Sequence, residues 1–236
     1  ELARVQSQIA DLSGIRRGHV RIASGADSMR YFLPETVSRY RGEHPAVTFD
    51  LVRQSGDSAE QALRTLEADL ALIFEPIKSA DFQTMATARQ QLYCMMSATH
   101  PLAKKPIIRL RDCVGQPAIL PRADAGLRQL LNVGLIRRSV ELGTVIESNS
   151  QEFLQNYLTH ETVISFQIPI AMPRDLVTTP ANDSEVVARP VDLADVPAGI
   201  LHIGQLKGRV LPVAAAKFLD SIITELGARY GDDIDQ

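Results

Sequence analysis

From Gly18 onward, short apolar runs of strand length alternate with longer segments whose apolar residues recur at helical spacing. This alternation constrains the fold more than any other feature. Strands are expected at Val20–Ala23, Val47–Arg53 and Asp69–Phe74, with helices at Ser28–Arg41 and Ser58–Leu66 between them. Parallel strands joined by helices cover both faces of a sheet, so the β-α-β-α-β order predicts one α/β lobe, nearly complete by residue 75.

A second series follows. It comprises strands at Gln91–Ala98, Ala118–Leu120, Thr144–Glu147 and Thr162–Phe166, with helices at Gly126–Arg138 and Gln151–His160. The last segment runs from a strand at Gly199–Gln205 through Lys207, Gly208 and Arg209. It ends in an amphipathic helix carrying Val213, Phe218, Ile222 and Leu226. If that strand returns to the first lobe, the chain passes between lobes twice and makes a hinged cleft. Open α/β sheets bind ligands at the carboxyl ends of their strands. The expected division is 18–89 with 203–229 as lobe I, and 90–202 as lobe II.

Ahead of these lobes, in residues 1–17, Leu2, Val5, Ile9 and Leu12 form an apolar seam that ends at Ser13 and Gly14. The seam fits the tail of a longer linker helix and equally a short helix packed on its own domain. The polar stretch Thr178–Ser184 reads as a loop.

Composition narrows the function. Apolar residues make up 45% and charged residues 22%, an ordinary globular balance, and the net charge of −3 gives no overall attraction to phosphate. No stretch approaches the roughly 20 apolar residues that span a bilayer. Cys94 and Cys113 are too few for a disulfide scaffold and lack the spacing of a zinc site, which fits a reducing cytoplasm. They are buried small hydrophobes or, alternatively, a redox pair.

The chain has no GxSxG elbow, P-loop or dinucleotide fingerprint, and its five histidines show no HExxH or close pairing. No catalytic residue, metal or cofactor is expected.

The polar loops after strands carry more information. Ser24, Gly25, Asp27 and Ser28 lie between the first strand and first helix, where free backbone N–H groups can cradle a small polar ligand. Helix capping alone also explains Asp27 or Ser28. The loop Gln54–Asp57 has the same composition and the same two readings.

Several short motifs in order closely resemble the effector domain of LysR-type transcriptional regulators. They are Gly18–Ala23, Leu33-Pro34, Tyr40-Arg41 through His44-Pro45, Asp69–Leu72, His100–Ala103, Ile146–Ser148, Ile164-Ser165 and Leu206–Leu211. The resemblance runs from about Gly18 to Leu226. It implies a type 2 periplasmic-binding-protein-like α/β fold, two Rossmann-like lobes on a two-strand hinge, with a ligand in the cleft. An N-terminal winged helix-turn-helix, joined through a linker helix, would be absent from this chain.

Carried over by position, the resemblance places ligand contacts at Gly25, Asp27 and Ser28, then at Ser55 and Gly56. The opposing lobe contributes near Leu120 to Arg122 and at Gln167 and Ile168. Many members have Ser or Thr where Asp27 stands. A carboxylate there favours an amine or hydroxyl partner, while Arg122 could hold an acid group, so the expected effector is an organic acid or zwitterion. The resemblance also implies a homodimer, with tetramers in the full-length protein, and DNA contact only through the absent domain. The dimer would pair helix Met29–Tyr40 with Gln151–Leu158 of a second copy, with Phe32, Val37, Phe153 and Leu154 available to it. A transporter's solute-binding protein or an enzyme on the same fold are the competing readings.

Overall fold

The computed structural model describes residues 17–178, 185–230 and 234–235; the amphipathic seam and most of the 178–184 loop lie outside them. The chain divides into two compact units, Glu1–Arg89 with Ile200–Gln236, and Gln90–Gly199. The second boundary falls before residue 203 because Leu201–Gly204 already pair with Phe74–Ala71 of the first unit.

Unit 1 contains β1 (Gly18–Ser24), α1 (Ala26–Met29), α2 (Phe32–Glu43), β2 (Val47–Arg53), α3 (Asp57–Arg64), β3 (Leu70–Phe74) and β4 (Phe82–Gln90). Its six-stranded sheet is completed by β10 (Gly199–Leu206) and β11 (Ile234–Asp235), in the order β11-β4-β10-β3-β1-β2. β1 runs parallel to β2 and β3, and β10 antiparallel to β3. The closing helix, the last of the chain, spans Val213–Tyr230. Ala23, Ala71 and Ile73 pack with Ala59, Ala62 and Leu63 of α3 on one face. On the other, Phe49 and Tyr40 stack edge to face with Phe218 of the closing helix.

The single helix expected at Ser28–Arg41 is instead two. Pro34 has no N–H to offer in the body of a helix, but it is tolerated in a first turn. The helix therefore restarts at Phe32, with α1 a separate turn. Three strands escaped the sequence reading: β4, β11 and one at Val186–Pro190 in the second unit. In β4 the inward residues are Ala86, Ala88 and Gln90, too small or polar to mark a period-2 pattern.

Unit 2 contains β5 (Tyr93–Ser97), β6 (Pro117–Pro121), α4 (Gly126–Arg138), β7 (Gly143–Ser148), α5 (Gln151–Tyr157), β8 (Ile164–Gln167), α6 (Arg174–Thr178) and β9 (Val186–Pro190). Its sheet order is β7-β6-β8-β5-β9. β6 is parallel to β7 and β8, while β5 is antiparallel to β8 and β9. Each sheet thus has three parallel strands in the order second-first-third, next to an antiparallel strand, β10 in the first and β5 in the second, beyond which lie β4 and β11 or β9 respectively. Helix α4 seats tightly because Gly134 lacks a side chain. A Cβ there would lie 2.5 Å from Val196 Cγ2 and 3.0 Å from the Asp195 carbonyl oxygen.

Phe32 and Leu154 are buried within their own units, at 0% and 4% exposure, and offer no surface to a second copy. Phe32 lies under the Arg229 guanidinium, 5.0 Å from its ring centroid, and Leu154 packs with Ile119 and Met95. Phe153, on the other side of α5, is 44% exposed.

Candidate functional site

In unit 1 the carboxyl ends of β1 and β2 converge. The Gln54 N–H donates to the Ser24 carbonyl at 2.9 Å, which extends the parallel pairing of β1 and β2 by one residue into the loops. Gly25 is thereby brought beside the second loop. A Cβ built on Gly25 would stand 3.6 Å from Ser55 Cβ and 3.9 Å from Asp27 Oδ2, ordinary van der Waals contact. Ser24 and Ser28 are buried, whereas Gly25 and Asp27 are half-buried. The two expected loops therefore form one polar surface built on adjacent strands.

Gly56 has φ +51° and ψ −129°, a conformation that L side chains rarely adopt. Its carbonyl accepts from Ala59 N and Glu60 N, each at 3.1 Å, and so opens α3. Asp57 pairs with Lys78 at 3.0 Å and Glu60 accepts from Lys78 N at 2.8 Å, so both acids of this turn are engaged. The side-chain oxygen of Gln54 is buried and has no hydrogen-bond partner among the described residues. Such an acceptor costs about 1–3 kcal/mol. Sequence reasoning did not single out Gln54, because burial of one amide oxygen leaves no trace in local pattern.

In unit 2 the other expected residues gather at the carboxyl ends of β6 and β8, neighbours in the sheet. Leu120 and Ile168 are fully buried. Arg122 is exposed just past β6, and its guanidinium makes no ion pair among the described residues. Gln167 Oε1 accepts from Ile168 N at 2.9 Å. Gln90 Oε1 similarly accepts from Ile170 N at 2.9 Å, fixing the segment after β8. Opposite Gln167 in the sheet stands Tyr93, whose phenol is pushed up by burial and stays protonated. Among the described residues, no cluster of three or more His, Cys, Asp or Glu could hold a metal ion. No helix among them is long and apolar enough to cross a membrane.

The profile of the LysR substrate binding domain matches residues 13–227. The chain belongs to the LysR substrate-binding domain family. Curated relatives of this LysR domain include the HTH-type transcriptional activator CmpR of Synechocystis, 22% identical over 93% of this chain and 70% of that protein. The transcriptional regulator CbbR of Sinorhizobium medicae is 27% identical over 63% of this chain and 48% of its own length. The matches span from about a third to seven-tenths of the curated regulators' own length.

Among solved structures, the effector binding domain of QuiR in complex with shikimate superposes with a TM-score of 0.73 at 17% identity, covering 91% of this chain and 99% of that one. The regulatory domain of Synechocystis CcmR in complex with 2-PG gives 0.75 at 20% identity, covering 92% and 99%. The LysR domain therefore has the type 2 periplasmic-binding-protein-like fold.

Proposed function

We propose that this LysR-family domain senses a small organic effector for a bacterial, cytoplasmic transcription regulator, and that a winged helix-turn-helix elsewhere in the full-length protein reads DNA. The carrying observation is the convergence of the Ser24–Ser28 and Ser55–Gly56 loops through the bond from Gln54 N to Ser24 O. Backbone N–H groups, small hydroxyls and one unpartnered buried acceptor collect there, which suits a polar ligand. In this reading Arg122 and Gln167 are the ligand contacts of unit 2, with Leu120 and Ile168 as the scaffold behind them. Both groups occupy carboxyl edges of parallel strands, where open α/β sheets take ligands.

The effector is an organic acid or zwitterion. Asp27 favours an amine or hydroxyl partner, and Arg122, whose planar fork fits two carboxylate oxygens, favours an acid group. Binding shifts the equilibrium between conformations of the domain, and the shift is passed on to DNA binding. The domain does no chemistry, so the effector leaves unchanged.

A thermal-shift screen of amino, hydroxy and dicarboxylic acids tests this. A ligand at 100 times its dissociation constant adds about 2.7 kcal/mol, or about 5–10 °C for a chain of this size. Asp27→Ser and Arg122→Ala should each reduce the shift given by amino or hydroxy acids. Stabilisation by simple dicarboxylates alone, untouched by Asp27→Ser, would overturn the assignment. Recovery of an altered compound after long incubation would overturn the non-enzymatic reading.

A further inference from the structure

Unit 2 also carries a groove that the effector reading does not use. In the β6–β7 pair, Ile119 stands opposite Ile146 and Leu120 opposite Glu147. Ile119 and Ile146 pack with Leu154 and Leu158 at α5. The register shifts between Ala118 and Ile119, so Val145 is an unpaired extra residue of β7 and the strand bulges there. Leu120, Val145 and Glu147 line the side facing α4. The hydrogen bonds agree: Arg128 of α4 donates to Glu147 Oε1 at 2.7 Å and to the Pro121 carbonyl at 2.9 Å.

Helix α4 is seated closely against Val196 and Asp195 at Gly134. The edge strand β7 is left only partly covered, and Val145 is 58% exposed. Between helix and strand lies a cavity of about 710 Å³. Leu135, Val140 and Val145 supply its apolar wall, and Arg128, Glu141 and Glu147 its charged rim.

The charges select the ligand. Arg128 is already engaged by Glu147, the Pro121 carbonyl and Asn132. Glu141 makes no ion pair or hydrogen bond among the described residues. Two carboxylates against one guanidinium leave the rim net negative beside an aliphatic wall. We propose that this groove binds a small aliphatic ammonium ion. Its alkyl stem lies on Leu135, Val140 and Val145, and its head is held by Glu141 and the free oxygen of Glu147. Organic anions are repelled there. The groove lies wholly within unit 2, so the domain gains a second input of opposite charge to an acid effector.

The probe is 1-butylammonium chloride, titrated into the ¹⁵N-labelled chain with sodium chloride as the control. Saturable amide shifts are expected at Thr144–Glu147 and Leu135–Val140, with a dissociation constant on the order of 1 mM for so small a ligand. Glu141 is solvent-exposed, so its substitution spares the fold, and an otherwise unchanged spectrum verifies this. Glu141→Gln should weaken binding about three- to fivefold, the effect of an exposed charge pair, and Glu141→Lys should abolish saturation. Butan-1-ol, with the same stem and no charge, should bind about threefold more weakly or worse. The proposal fails if butan-1-ol binds as well, if the shifts map elsewhere or do not saturate, or if Glu141→Lys leaves them unchanged.

Discussion

The Arg209 guanidinium donates to the buried carboxylate of Asp69 at 2.6 Å, joining residues 140 positions apart in the chain. Asp69 also receives the Arg21 backbone N–H at 2.9 Å and its Nη2 at 2.8 Å, and Arg209 reaches the Ala68 carbonyl at 2.9 Å. The returning segment after β10 is thus anchored to the middle of β1 and the amino end of β3. Asp69→Ala would leave Arg209 without its partner in a nearly water-free setting. We expect a loss of about 3 kcal/mol in urea unfolding at neutral pH. Arg209→Ala, whose partner keeps Arg21, should cost less.

The same carboxylate makes stability depend on acid. Burial alone would raise the Asp69 pKa. The Arg21 side-chain and backbone bonds, with the charges of Arg21 and Arg209, outweigh burial and hold it below the usual carboxylate value. A folded-state pKa below the unfolded value of about 3.9 gives stability that is present above that value and lost as pH falls through the folded one. The stability advantage of the native chain over Asp69→Asn should therefore be full at pH 6 and shrink below about pH 4, measured by urea unfolding across that range.

Two glycines of the candidate site should respond differently to alanine. Gly56→Ala forces a side chain into φ +51° and should cost about 1–3 kcal/mol. Gly25 has φ −65° and ψ 164°, and its added Cβ meets only ordinary contacts. Gly25→Ala should unfold within about 0.5 kcal/mol of the native chain. If backbone approach at this loop matters to the effector, Gly25→Ala weakens binding without changing stability, and calorimetry beside urea unfolding separates the two.

Cys94 and Cys113 are both fully buried, and their thiols interact. The hydrogen bond with Cys113, together with burial, pushes the Cys94 thiol well above its usual value, which suppresses the reactive thiolate. Neither thiol should react with an aromatic disulfide reagent at pH 8 in the native chain, and two should react in guanidinium chloride. Fast titration of a thiol under native conditions would reopen the redox reading.

Phe153 exposes 44% of its surface on α5, stacked on Tyr157 at 5.5 Å. If the domain pairs with a second copy through α2 and α5, Phe153→Asp should move light-scattering mass from dimer toward monomer. The thermal unfolding midpoint measured on the monomer should change little, because the residue is not part of the core.

The strand-helix alternation made two α/β lobes legible, since a buried strand and an amphipathic helix each write their burial into local periodicity. The order of short motifs likewise carries the likeness to the LysR family, which needs no tertiary contact to be read. Edges were harder to read. β4 carries Ala86, Ala88 and Gln90 inward, and β9 is five residues ending in proline, so neither has the apolar contrast that a period-2 pattern needs. Pro34 held a readable signal for the break between α1 and α2, through its missing N–H.

The sequence by itself determined which polar loops follow the parallel strands and that no catalytic motif accompanies them, because both are properties of short segments. Only the tertiary structure decided that Gly25 faces the Ser55 loop, that Gln54 hides an oxygen unpartnered among the described residues and that Phe32 and Leu154 are core. It also decided that Val145 lies uncovered beside α4. Each of these depends on parallel pairing or helix seating between residues distant in the chain, and local periodicity carries no record of which strand becomes whose neighbour.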